Sequence, residues 1–185
     1  MPFCVPRRTA AFRGAALAFA SAFALCAQAA PPITVTSKAA TDGPIRYTVK
    51  VVSKPFGNAQ QTRTLRSGET DDFMWRTTPP GGPVATPGGC PGIASLPLDT
   101  NGAMVRQTQV RLAPIVSSKG TANVQLSFRA QAPHGTHTVT SGGKSLTCPN
   151  VVQHTQVIRF SMPTTGAAKT VRLSDGTQIT VSAVR

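Results

Sequence analysis

Acidic side chains are scarce in this chain. Only 6 Asp and Glu stand against 19 Lys and Arg in 185 residues. Histidine is as sparse, at 3. General acid–base catalysis relies on tuned carboxylates or imidazoles held in a cleft, so an enzyme of that kind has little to be built from. No stretch dense in Lys and Arg occurs, so the usual signature of a nucleic-acid-binding tail is missing. Apolar runs are short as well. The one sustained run, Gly14 to Cys26, falls below the roughly 20 residues that a membrane-spanning helix needs.

That run belongs to a leader. Arg7, Arg8 and Arg13 precede or border it, and Ala27-Gln28-Ala29 follows it in an A-x-A cleavage pattern. This is the layout of a secretory signal peptide. Leu25 before Cys26 argues against a lipoprotein. The sequence therefore predicts a cleaved signal peptide over residues 1–29 and a single β-rich domain over 30–185, exported to the periplasm or beyond the cell. No transmembrane span is expected after the leader. Loss of the three leader arginines, which no leader acid balances, takes the formal charge from +13 to +10. Such a surface attracts anions.

Of the 4 cysteines, Cys4 and Cys26 leave with the leader. Cys90 and Cys148 remain, an even pair in an oxidising compartment, and a disulfide between them is expected. A zinc site would want more ligands at closer spacing.

Helical periodicity is nearly absent beyond the leader, whereas alternation with a period of two is common. In "IRYTVKVV", Ile45, Tyr47, Val49 and Val51 share one face, and Arg46, Thr48 and Lys50 the other. "QQTRTLR" reads as the returning strand. In "ANVQLSFRAQ", Ala122, Val124, Leu126, Phe128 and Ala130 oppose a polar face. "TVRLSDGTQITVSAV" reads as a hairpin with Asp175-Gly176 in a type I′ turn, placing Val171 and Leu173 in the core with Ile179, Val181 and Ala183. "RQTQVRLAP" and "QHTQVIRFSMP" echo each other, as equivalent strands in two sheets would. Residues 77–97 are too rich in Pro and Gly for a central strand or a helix, and read as a long ordered surface loop pinned by Cys90. Seven to nine short strands with one bridge predict an all-β fold, an antiparallel β-sandwich of immunoglobulin-like type. A small β-barrel is the alternative. The Cys-Trp-Cys order of immunoglobulin domains is not met, because Trp75 precedes both cysteines.

Several short motifs invite chemistry. His134, His137 and His154 are weak candidates for a copper or zinc set. The stretch that holds them, residues 134–154, reads by default as a disulfide-tethered loop between two strands. Ser141-Gly-Gly-Lys144 matches S-x-x-K, but its companion motifs are absent and no helix is expected to follow. Glu69, Asp71 and Asp72 gather half of the acids beside Trp75. They lack the glycine-turned loop of a calcium site and read as a solvated turn with Phe73 and Trp75 entering the core. A Ser/His/Asp site is assembled by geometry rather than spacing, and no pattern in the sequence points to one. Arg46, Lys50 and Lys54 share one side of the first hairpin, with Arg66 joining from the returning strand, as an anion-binding face.

Exported β-rich chains with one disulfide resemble pilin subunits. This chain ends "TVSAVR", without the aromatic near the terminus that the resemblance calls for. The expected function is that of an exported, non-enzymatic binding module of the bacterial periplasm or cell surface, requiring no cofactor. Its partner would be an acidic envelope component or another envelope protein rather than nucleic acid. The alternatives are a structural or assembly subunit of a pilus or secretion apparatus, a metal-binding envelope protein, and an unrecognised hydrolase.

Overall fold

Alternation decides which way each strand faces, and it holds through most of the chain. The structure, a computed structural model, describes residues 43–185. The expected leader and the mature start at Ala30 lie outside the described residues. Strands β1 (Ile45–Ser53), β2 (Gly57–Leu65), β9 (Thr165–Arg172) and β10 (Gln178–Val184) form one antiparallel sheet in the order β2-β1-β10-β9. We call it sheet A. Strands β3 (Asp71–Thr77), β6 (Arg106–Val116), β7 (Thr121–Ser141) and β8 (Lys144–Pro163) form sheet B in the order β3-β6-β7-β8. The two-residue strands β4 (Val84–Ala85) and β5 (Ala103–Met104) pair separately.

Both sheets turn one face into a common core. Ile45, Tyr47, Val49 and Val51 from β1 and Ile179, Val181 and Ala183 from β10 are buried against Phe73, Val110, Leu112, Val124, Leu126 and Phe128 of sheet B. This is an antiparallel β-sandwich, and no barrel closes among the described residues. In sheet B the long strands β6, β7 and β8 are consecutive in the chain and form a meander, with β3 added at the β6 edge, whereas β1 and β10 bring the two ends of the described chain together in sheet A. The echoing segments "RQTQVRLAP" and "QHTQVIRFSMP" are β6 and β8, both in sheet B with β7 between them. They do not fall in two sheets as expected.

Two turns differ from expectation for one reason, the sign of φ. At the β9–β10 connection only Gly176 has positive φ (83°), and Asp175 does not. Gly176 N–H donates to the Leu173 carbonyl, and Leu173 N–H to the Thr177 carbonyl. The loop is therefore a three-residue turn closed by a glycine bulge, not a type I′ turn. The two-residue turn with both central φ angles positive occurs instead at Gly142 (58°) and Gly143 (75°), in the S-x-x-K match. It joins β7 directly to β8, with Ser141 opposite Lys144. Residues 134–154 are thus a long hairpin arm rather than a loop, interrupted only by a register shift between Pro133 and Thr136. Thr and Val residues favour extended backbone here even though most of the arm is exposed.

The Pro/Gly segment is ordered against this arm. Cys90 and Cys148 are bonded, with Cα atoms 5.7 Å apart. A Cβ on Gly89 would come within 2.6 Å of a Leu146 methyl, so glycine is what lets the loop lie flat on the hairpin. The bridge spans 58 residues, which in the chain-entropy account is worth about 4 kcal/mol.

Edge strands are guarded by charge. On β2, Arg63 points inward, donates to Asp71 at 3.1 Å and lies 5.8 Å from the centre of the Phe73 ring. On β9, Lys169 is paired with Val181 and so shares the inward side, while remaining exposed. Inward charges of this kind oppose pairing with a further strand.

Tyr47 is fully buried, and its hydroxyl has no hydrogen-bond partner among the described residues. Burial pushes its pKa up from 10.0 to about 12, against a smaller opposing effect of Arg185. The unfolded chain therefore releases this proton near pH 10 while the folded chain holds it, so stability falls as pH rises between the two values. Tyr47→Phe should remove that alkaline loss and stabilise the protein at neutral pH by about 1 kcal/mol, because an unpaired buried hydroxyl disappears. Urea unfolding at pH 7 and pH 11 measures both effects. Phe128 is fully buried, with ring centroids 6.0 Å from Phe56 and from His154. Phe128→Ala should cost about 3–5 kcal/mol, while Arg129→Ala on the opposite face should stay within about 0.5 kcal/mol. Equal costs would contradict the register of β7.

Candidate functional site

The outer face of sheet A follows from the inner one. Because Tyr47, Val49 and Val51 face the core, Arg46, Thr48, Lys50 and Val52 must face out. Cross-strand register then fixes their neighbours. Thr62, Thr48 and Ser182 form one row, and Gln60, Lys50, Thr180 and Thr170 the next. The third row holds Asn58, Val52, Gln178 and Arg172. Hydroxyls bond across strands, Thr48 to Thr62 at 2.8 Å and Thr170 to Thr180 at 2.9 Å, as paired threonines on one sheet face do. None of the four strands of sheet A carries an Asp or Glu. The face therefore carries rows of hydroxyls and amides with exposed Val52 and Val184 among them, and bears Arg46, Lys50 and Arg172, all exposed.

Of the four residues expected to make an anion-binding face, Arg46 and Lys50 stand together on this surface. Lys54 lies beyond the end of β1, in the turn to β2, where it lines a cavity with Arg106 and His134. Arg66 is exposed one residue past β2, and its backbone N–H donates to Glu69 Oε2 at 2.7 Å. Arg172 was not among those four. Its outward direction was readable, since Val171 and Leu173 face the core, but the strand order that carries it onto the face of Arg46 and Lys50 was not.

The outer face of sheet B differs, because acid is present. Arg111 donates two hydrogen bonds to Asp72, at 2.8 and 2.7 Å. Those bonds hold the Asp72 carboxyl below its ordinary range. Asp71 is matched by Arg63. The acidic run around Glu69 therefore serves strand β3 and its turn rather than a calcium ion.

The three histidines are not brought together. His134 sits at the β7 register shift, His137 pairs with Cys148 on the arm, and His154 faces inward beside Phe128. No group of three or more His, Cys, Asp or Glu among the described residues is arranged to hold a metal ion. His154 does meet Ser174 and Asp175, but both approach the same ring nitrogen, Nε2, at 3.5 and 3.8 Å. A nucleophilic relay needs the serine on one nitrogen and the carboxylate on the other. Asp175 is also engaged by Thr177, whose hydroxyl donates to it at 2.7 Å.

No curated protein matches the chain, and no solved structure does. A protein-family model matches residues 2–185. By that match over nearly its whole length, the chain belongs to DUF6013, a family of unknown function.

Proposed function

We propose that the protein is an exported, non-enzymatic binding module of the bacterial envelope that holds an acidic polysaccharide on the outer face of sheet A. The observation that carries this reading is the absence of any acid from that sheet, beside three exposed cations set among hydroxyls and amides. Threonine hydroxyls and glutamine amides both donate and accept, as sugar hydroxyls do. Lysine and arginine answer carboxylate, sulfate or phosphate groups along the same chain. The rows run across four strands, which offers a polymer repeated contacts. The Cys90–Cys148 bridge fits an oxidising compartment. Strand-to-strand assembly is less supported, since Lys169 would have to be stripped of water at the β9 edge.

Heparin and lipopolysaccharide serve as probes. The double variant Lys50→Glu, Arg172→Glu should weaken retention about ten-fold or more. It removes two exposed attractions of roughly 0.5–1 kcal/mol each and adds repulsion. Wild-type binding should fall steeply with salt, because exposed charges are screened over about 8 Å at physiological ionic strength. An equal reversal on sheet B, Arg129→Glu with Lys144→Glu, should lose much less. Equal losses in the two variants would mean attraction by net charge alone and would end the assignment of a face.

A further inference from the structure

At one end of the sandwich, the β1–β2 turn, the start of β6 and the register shift in β7 surround a cavity of about 310 Å³. Lys54, Arg106 and His134 line it together with Pro55, Pro133 and Val152. No acidic residue is in the lining, and none of the three basic residues makes an ion pair among the described residues. Arg106 is half-buried, and its Nε is shielded from solvent without a hydrogen-bond partner among the described residues. Its guanidinium lies against Gly57, where an added Cβ would stand 3.2 Å from Nη1. The glycine thus makes room for the arginine. Gly135, at φ 76°, is part of the irregularity that sets His134 at the cavity rather than in the ladder.

A shielded guanidinium nitrogen with no acceptor is unfavourable, and the Lys54 ammonium lining the same cavity makes it more so. The arrangement becomes favourable once an anion enters. We infer that this cavity, formed by Lys54, Arg106 and His134, binds a small phosphate monoester, separately from the outer face of sheet A. The planar fork of arginine matches phosphate oxygens two at a time. Three converging basic groups suit a doubly charged head better than a single carboxylate. Pro55, Pro133 and Val152 give the ester's organic body an apolar wall, as ligand pockets usually do.

Phenyl phosphate is the probe, measured by titration calorimetry and by thermal shift on the oxidised protein. It should bind one to one, more tightly than benzoate or inorganic phosphate. Arg106→Met should weaken it at least ten-fold, Arg106→Lys should weaken it less, and Lys54→Ala should weaken it several-fold. Without ligand, Arg106→Met should melt at the same temperature as the wild type or higher, because a partly shielded guanidinium without an acceptor on Nε is gone. A structural arginine would instead lower the melting temperature and leave the ligand-induced shift intact, and that result overturns the site. Lack of saturable binding by the wild type overturns it as well. Benzoate binding as tight as phenyl phosphate would overturn the phosphate assignment. The Lys50→Glu, Arg172→Glu variant should bind phenyl phosphate normally, so failure of the polysaccharide face and failure of this pocket give different results.

Discussion

A slip of one residue in β1 would bury Arg46 and Lys50 and expel Tyr47 and Val49. That forbidden slip is the constraint on which the rest of the structure depends. Register in a half-buried sheet is enforced by the cost of burying charge and exposing apolar surface. Once β1 is fixed against β2 and β10, the outer rows of threonine, glutamine and cations are fixed with it. The core and the candidate binding face are two sides of a single alternation.

Charge distribution adds a second constraint. Each described carboxylate already has work inside the molecule. Asp71 and Asp72 are bound by arginines. Glu69 accepts from a backbone amide in the turn after β2, and Asp99 from those of Asn101 and Ala103 at the turn into β5. Asp175 receives the backbone amide and hydroxyl of Thr177 in the last hairpin. With the acids committed to turns and to the β3 edge, Arg46, Lys50 and Arg172 on the outer face of sheet A, and the basic groups of the end cavity, make no ion pair among the described residues. The positive charge is thus unevenly answered, with ion pairs gathered around β3 and unpaired cations elsewhere among the described residues.

Much of this was legible in the sequence. Alternation gave the faces of β1 and of the first half of β7 correctly, and Cys90 and Cys148 announced their bridge. Asp-Gly promised a type I′ turn, but a preference for positive φ does not dictate how many residues the loop holds. Gly142-Gly143, a better match to that turn, was hidden inside a motif resemblance. The arm beyond Pro133 was missed because its strands are exposed on both faces and carry no apolar alternation. Arg106 gave no signal. Its meeting with Lys54 and His134 depends on three segments far apart in the chain, and no local pattern encodes that.

The pairing of Arg46 with Val184 has a practical consequence. The first and last strands of the described chain begin and end side by side, and β1 then runs 9 residues away from that point before it reaches the turn at Lys54. At about 3.3 Å per residue the separation is roughly 30 Å. A tag or solid support attached at the carboxyl end would sit at the far pole from the Lys54 turn. The protein could therefore be displayed on a sensor surface with the cavity directed into the bulk liquid.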